Sequence, residues 1–259
     1  MSKYRLISIV NILLFLVTVV VNGLANALPL NGQQTGEISN RFDVLFVPAN
    51  YVFAIWGLIY LALAAFVVYQ ALPSQQNNPR LQRLGWLFAL SNVANTAWIF
   101  LWHYEYFALT VLVMAGLLIS LIAIYLRLGI GRTTSRGVER WVVDGTFSLY
   151  LGWITVATIA NVTSYLDFVA WGGWGISPVV WTVLLLVVGV GIAAAMTLRH
   201  RDAIYLGVLV WAFAGIAVKQ TAEPVVVASA SAAAILVTLL IVIALIRPTF
   251  LYAQNMDKN

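Results

Sequence analysis

Several asparagines stand inside long apolar stretches of this 259-residue chain, where amide groups are unusual, and they include Asn22, Asn26, Asn92, Asn95 and Asn161. Asn22, Asn95 and Asn161 are each surrounded by Leu, Val, Ala, Ile and aromatic residues. An amide buried among apolar groups is costly unless it forms hydrogen bonds. The sequence therefore leaves two explanations open, because these amides either bond between helices or line a shared cavity.

Aromatic residues repeat at helical spacing in the same stretches. Trp56 and Tyr60 are four residues apart, Tyr150 and Trp153 are three apart, and Trp98 follows Asn95 by three. Residues three or four apart share one face of a helix. Trp and Tyr offer flat apolar surfaces with one polar atom each, which suits a planar apolar ligand. Core packing is the alternative explanation for such a stripe.

Groups that could catalyse a reaction are few. The chain has no cysteine, which excludes disulfides, thiol catalysis and thiolate metal sites. Neither His103 nor His200 has metal-ligand spacing to another donor, and Asp144 is expected to form an ion pair close to Arg140. Lys219 directly precedes a polar loop, so a retinal-type Schiff base is disfavoured. The residues indicate binding rather than catalysis, with no metal and no obligatory cofactor.

The elements that carry these residues are predicted to be membrane-spanning helices. Apolar residues make up 62% of the chain and charged residues 9%, against about 25% charged in soluble domains. A spanning helix needs about 20 apolar residues. We predict an all-α, polytopic transmembrane bundle of about eight helices, over residues 6–27, 50–72, 85–102, 107–127, 141–163, 178–198, 203–219 and 225–246.

The basic residues predict the orientation of this bundle. Twelve of the fourteen Lys and Arg residues fall in alternate gaps between the apolar stretches, and only Arg41 and Lys219 lie in the other gaps. Short loops rich in Lys and Arg stay cytoplasmic. Both termini are therefore expected to be cytoplasmic, in a multi-pass protein of the cytoplasmic membrane that contacts lipid. Nucleic-acid binding is not expected, because the basic residues act as loop anchors.

A change of composition near residue 178 suggests two units. Residues 1–170 carry most of the Asn, Tyr and Trp residues, whereas residues 171–259 hold three helices rich in Val, Ala and Leu and a short tail. We interpret the first as the ligand-binding module and the second as an accessory unit. The polar gap 28–50 is expected to form a lid. Small-residue faces, as around Gly189, permit close helix packing and a homodimer.

Three segments resemble the tryptophan-rich sensory protein/translocator protein family, which includes TspO and the mitochondrial benzodiazepine receptor. Residues 48–60 resemble the family's loop-to-second-helix motif, and Asn95-x-x-Trp98 resembles its third-helix motif. Tyr150-x-x-Trp153-x-x-x-Ala157-x-x-x-Asn161 matches the fifth-helix pattern at each spacing.

The chain also departs from that family. Pro48-Ala49 replaces a Pro-Pro pair, Tyr51 replaces a Trp, and the spacing from Phe53 to Trp56 is one residue shorter. Three further helices follow the five that the family has. Ligand preference and the face shown by Tyr51 and Phe53 are therefore open at this point.

The resemblance implies a pocket among helices 1, 2 and 5, closed by the 28–50 loop, for a porphyrin, a haem-like tetrapyrrole or a sterol. Trp56 and Trp153 would stack on this planar apolar ligand, and the protein would act as a sensor or carrier. Together with the amides above, the predicted ligand-binding residues are Asn22, Trp56, Tyr60, Asn95, Trp98, Tyr150, Trp153, Ala157 and Asn161.

Two alternatives remain from the sequence. A secondary transporter of a small organic or amphipathic solute fits eight helices, although such proteins usually carry an ionisable group at mid-membrane. A continuous water-filled path along Asn22, Asn95 and Asn161 would favour it. Light-dependent porphyrin degradation, reported for some family members, would use the ligand's own photochemistry beside Trp56 or Trp153.

Overall fold

The computed structural model describes residues 3–133, 135 and 137–246. These residues form helices and no strand, which confirms the predicted all-α class. Three of the basic residues used to predict orientation, Arg136, Arg247 and Lys258, lie outside the described residues, as does the predicted C-terminal tail.

Eight long helices run through the described residues, and each predicted stretch overlaps one of them. In chain order they are α1 Lys3–Ala27, α2 Ile55–Ala71, α3 Leu87–His103, α4 Phe107–Leu128, α5 Thr146–Phe168, α6 Pro178–Arg199, α7 Ala203–Lys219 and α8 Pro224–Ile246. A short 3₁₀ segment, Asn50–Ala54, leads into α2, and a π-helical segment, Arg140–Gly145, leads into α5.

The length and surface of these helices are those of a membrane protein. Six helical stretches within the described ranges are long and apolar enough to cross a bilayer, and one of them, Asn50–Ala71, combines the 3₁₀ segment with α2. Helices α3 and α7 are shorter, with 17 residues each. Large apolar side chains face outwards, among them Leu61, Leu112 and Leu245, which are 71%, 67% and 69% exposed. A continuous apolar exterior is stable against lipid and not against water. The chain is therefore a multi-pass membrane protein.

The first five helices pack around an aromatic core. Phe66 of α2, Phe88 of α3 and Phe147 of α5 are fully buried and meet edge to face, with ring centroids 4.8–5.9 Å apart. Such edge-to-face pairs add to the stabilisation from burial. This Phe cluster fixes the three helices that carry most of the predicted binding residues.

Helix α7 connects the last three helices to the first five. It packs on α5 on one side and on α6 and α8 on the other. Gly152 of α5 makes the close approach feasible, because a Cβ at this position would lie 3.0 Å from Val208 Cβ and 3.2 Å from the Tyr205 carbonyl oxygen. Asp202 caps the start of α7 and accepts hydrogen bonds from the Tyr125 and Ser148 hydroxyls.

The two ends of the bundle differ in chemistry. The basic end carries Arg80, whose guanidinium bonds to both Asp144 and Glu139. The predicted ion pair of Asp144 therefore forms, but not with Arg140. Its partner is Arg80, which lies in the segment between α2 and α3. The lid end carries residues 28–49, called the lid here, with the short helical turns Leu30–Gly32 and Thr35–Ser39.

Candidate functional site

A cavity of about 500 Å³ lies beneath the lid, among the first five helices. Its walls come from α1 to α5, from the Asn50–Ala54 segment and from lid residues 34–37, 39 and 40. In the part of the chain that the structure describes, α6, α7 and α8 contribute no side chain to the lining. The cavity is therefore formed within residues 22–164.

Aromatic rings form one wall of the cavity. Trp56 stacks on Tyr60 with centroids 5.5 Å apart and an interplanar angle of 19°. Trp153 meets Trp56 edge to face at 6.2 Å and meets Phe53 in the same way at 5.7 Å. Because these rings hold one another in place, they present a preorganised apolar surface to a ligand.

Two polar atoms in this wall lack partners. The hydroxyl of Tyr60 and the indole Nε1 of Trp153 are buried and have no hydrogen-bond partner among the described residues. Leaving a buried donor or acceptor unpaired costs about 1–3 kcal/mol, and native proteins rarely do so without a reason. Both residues line the cavity. Both atoms are covered by neighbouring groups, so a shift of these side chains towards the cavity would be needed before a ligand could bond to them.

Two short relays of hydrogen bonds hold the amides. Asn22 Nδ2 donates to Asn95 Oδ1 at 2.9 Å, and Asn95 Nδ2 donates to the Tyr150 hydroxyl at 2.8 Å. Asn22 and Asn95 thus combine both explanations that the sequence left open, because they bond between helices and also line the cavity.

The second relay centres on Asn161. Trp98 Nε1 donates to Asn161 Oδ1 at 3.1 Å, and Asn161 Nδ2 donates to the Thr110 hydroxyl at 2.9 Å. This relay ties α5 to α3 and α4, and it fixes the plane of the Trp98 ring at the cavity wall.

The structure brings eight of the nine predicted residues to the cavity lining. They are Asn22, Trp56, Tyr60, Asn95, Trp98, Trp153, Ala157 and Asn161. Tyr150 is the exception, because it lies behind Asn95 and touches Trp56 edge to face at 6.1 Å. Tyr150 therefore supports the lining residues Asn95 and Trp56 from behind. Ligand binding by the nine residues stays a prediction.

The sequence did not identify several lining residues. Met114 and Leu117 of α4 line the cavity, whereas the predicted binding residues lie only on helices 1, 2, 3 and 5. Nothing distinguishes them within a uniformly apolar helix. Asn26 of α1 also lines the cavity, and its spacing of four residues from Asn22 already placed it on the same helix face. The short spacing from Phe53 to Trp56 left open which way Tyr51 and Phe53 face. Phe53 lines the cavity, whereas Tyr51 packs outside it on Trp211.

His103 bonds to the two helical turns of the lid. This fully buried side chain has Nε2 2.9 Å from the Thr35 hydroxyl and Nδ1 3.1 Å from the Leu30 carbonyl oxygen. Asn31 Nδ2 donates to the His103 carbonyl, and Trp102 Nε1 donates to the Thr35 carbonyl. The end of α3 thereby fixes both helical turns of the lid.

Glu105 holds the lid from outside the helices. It accepts from Gln33 Nε2 at 3.2 Å and pairs with Arg41 at 2.9 Å. These contacts, the Gln33 hydrogen bond first and that from Arg41 second, keep the pKa of the Glu105 carboxyl below its usual value. At neutral pH the carboxylate is therefore ionised and bridges two lid residues.

Helix α7 holds the far end of the lid. Ala49 N–H donates to the Gly215 carbonyl at 3.0 Å, and Gln220 Nε2 donates to the Leu45 carbonyl at 2.9 Å. Trp211 Nε1 reaches the Val52 carbonyl at 3.1 Å. Helix α7 and the residue that follows it thus contact the lid region although they do not line the cavity.

The lining is almost uncharged. Of the residues that line the cavity in the described chain, none is Lys, Arg or His, and Glu37 is the one ionisable acid. The described residues also contain no group of three or more His, Asp or Glu side chains that could hold a metal ion. The site offers aromatic faces, amides and hydroxyls, which suit recognition of an apolar body with few polar atoms.

Comparison with known proteins gives one match. A protein-family model described as TSPO-like protein matches residues 8–243. No curated protein and no solved structure matches the chain. The family match extends across all eight helices, including the three that the five-helix pattern does not require.

Proposed function

The chain belongs to the TSPO-like protein family, as its helix motifs predicted, and from this premise we propose that it binds a planar apolar ligand in the cavity beneath the lid. The ligand class is a porphyrin, a haem-like tetrapyrrole or a sterol. The protein acts as a sensor or carrier of that ligand in the cytoplasmic membrane.

The observation that carries this proposal is the pairing of an aromatic wall with unpaired polar atoms. Trp56 and Trp153 stand edge to face at the cavity, and the Trp153 indole N–H has no partner in the described chain. After a shift of the Trp153 side chain towards the cavity, a flat apolar ligand with one polar atom near that wall would gain stacking and a hydrogen bond together. The cavity volume of about 500 Å³ also lies in the range of small-molecule sites.

The transporter alternative has less support. A transport path would continue from the cavity towards the basic end of the bundle. Phe66, Phe88 and Phe147 lie on that side of Tyr60, Asn95 and Trp153 in their helices and are fully buried. Because passage would require this packed cluster to separate, the geometry favours a cavity that opens at the lid.

The test is a titration of the purified protein in detergent with protoporphyrin IX, followed by quenching of tryptophan fluorescence. We expect saturable binding that Trp153→Phe weakens about fivefold, because phenylalanine keeps the aromatic face and loses a donor worth about 1 kcal/mol. Trp56→Phe should weaken binding as well, since it reduces the stacking surface.

Trp86→Phe is the matched control, because Trp86 is exposed near the basic end and does not line the cavity. This substitution should leave the dissociation constant unchanged. Absence of saturable binding, or equal affinity in the three variants and the parent, would contradict the proposal and favour transport of another solute.

A further inference from the structure

One amine stands at the lid above the cavity without a carboxylate partner. Lys219, the last residue of α7, is partly buried, and its Nζ lies 3.4 Å from Asn40 Oδ1. Asn40 is itself a cavity-lining residue. Within the described chain, no carboxylate oxygen lies within ion-pair distance of Lys219. Its positive charge is therefore offset only by a neutral amide.

Two other charged groups of the lid already have partners. Arg41 is paired with Glu105 at 2.9 Å. Glu37 lines the cavity, and its Oε2 accepts from the Gln34 backbone N–H at 2.7 Å, where it caps the lid turn. Lys219 is thus the cation at the lid that is available to an anionic ligand group.

The cavity itself cannot accept a carboxylate. Its described lining contains no cation, and burying an unpaired carboxylate is far more costly than burying a neutral polar group. A ligand that has both a flat apolar body and a carboxylate must therefore place the body inside and the carboxylate at the mouth. Lys219 does not line the cavity, but its ammonium contacts the lining residue Asn40 and so lies on the lid side of the cavity.

We propose, on the basis of the proposed function, that Lys219 is a specificity-determining residue whose ammonium group binds the carboxylate of a planar apolar ligand at the cavity mouth. The apolar body lies against Trp153, and the carboxylate points to the lid. The extra helices thereby contribute to ligand selection, because α7 supplies a charge that the first five helices lack at this position.

The experiment compares protoporphyrin IX with its dimethyl ester, which keeps the ring and removes both negative charges. Affinities are measured in a non-ionic detergent, where no lipid phosphate competes for the amine. We expect the parent protein to bind the acid about three- to fivefold more tightly than the ester, as for a partly screened ion pair. Lys219→Met, which keeps an apolar stem, should remove this preference by weakening the acid alone.

Two further variants make the result specific. Lys219→Arg keeps the charge and should retain the preference for the acid. Arg83→Met removes one positive charge from an exposed residue near the basic end and should leave both affinities unchanged. Thermal unfolding without ligand checks that each variant is folded.

The outcomes separate this inference from the proposed function. If neither porphyrin binds the parent, the proposed function fails. If the ester binds saturably and the acid is not preferred, or if Lys219→Met leaves the preference intact, the cavity binds porphyrin and the role given to Lys219 is wrong. Addition of anionic lipid to the detergent should reduce the preference for the acid, because lipid phosphate competes for the same amine, and this result would support the assignment.

Discussion

At the residue scale, the site depends on amides that serve two purposes at once. Asn161 accepts from Trp98 and donates to Thr110, while it also lines the cavity. These bonds orient the amide at the lining of the cavity. An amide in this position both positions an aromatic ring and contributes polarity.

Replacing Asn161 should reveal this double role. In Asn161→Leu the Trp98 indole N–H loses its acceptor, whereas the Thr110 hydroxyl loses one donor and still donates to the Phe107 carbonyl. We therefore expect a loss of about 1 kcal/mol, between the mean for interhelical bonds in membranes and that for unpaired buried donors. The midpoint of thermal unfolding should fall by about 2–4 °C, and porphyrin binding should weaken.

Thr158→Val provides the comparison for Asn161, because the Thr158 hydroxyl bonds only within its own helix, to the Ile154 carbonyl oxygen, among the contacts described. It should leave binding unchanged. Equal effects of the two substitutions would show that the relay does not orient the cavity wall.

At the element scale, α7 acts on the lid without entering the cavity. Gly215 allows this, since a Cβ there would lie 2.3 Å from Val52 Cγ2 and 3.0 Å from Pro48 Cβ. Its carbonyl accepts from the Ala49 N–H. The backbone of the helix therefore touches the end of the lid directly, and the absence of a side chain is what permits the contact.

Adding one methyl group should disturb the lid. We expect Gly215→Ala to destabilise the protein by about 1–3 kcal/mol, as overpacking of a filled interior does, and to speed release of bound porphyrin. The measurement combines thermal unfolding with the dissociation rate after dilution.

Gly207→Ala is the paired substitution on the same helix, because nothing lies within 4 Å of the Cβ that it adds. It should change neither quantity. If Gly215→Ala lowered stability without altering ligand release, α7 would be a packing partner and not a support for the lid.

At the scale of the whole molecule, α7 joins the two groups of helices at both ends. At the lid end it bonds to residues 40–52, and at the basic end Asp202 accepts from Tyr125 of α4, from Ser148 of α5 and from the Tyr205 backbone N–H. Asp202 is 7% exposed. A buried carboxylate that accepts three hydrogen bonds fixes the relative position of the elements that donate them.

Removing this carboxylate should weaken the attachment of the last three helices. Asp202→Ala leaves two buried hydroxyls and a backbone N–H unpaired, so we expect a loss of about 2–4 kcal/mol of stability. Asp202→Asn, which keeps one acceptor oxygen, should lose less. Thermal unfolding in detergent measures both.

Ser120→Ala serves as the reference for Asp202, because Ser120 is only half-buried and its hydroxyl donates to the Gly116 carbonyl in its own helix. It should be neutral. A similarly neutral result for Asp202→Ala would show that packing between α5 and α7 is enough to hold the two groups of helices together.

The sequence by itself determined the helices, the family and eight of the cavity-lining residues. The length of each apolar stretch decides whether it spans a bilayer, because backbone groups in lipid must pair within their own helix. The spacing from Tyr150 to Asn161 likewise assigns residues to helix faces from local sequence alone. The proposed division at residue 170 and the cytoplasmic position of the termini stay predictions.

Only the tertiary structure decided which side chains meet across the bundle. Asn40 and Lys219 are 179 residues apart, and Tyr125 and Asp202 are 77 apart. Tyr150 shares the periodicity of the lining, yet Asn95 stands between it and the cavity. Local periodicity fixes the face of a helix, while the neighbour of that face depends on how the helices pack.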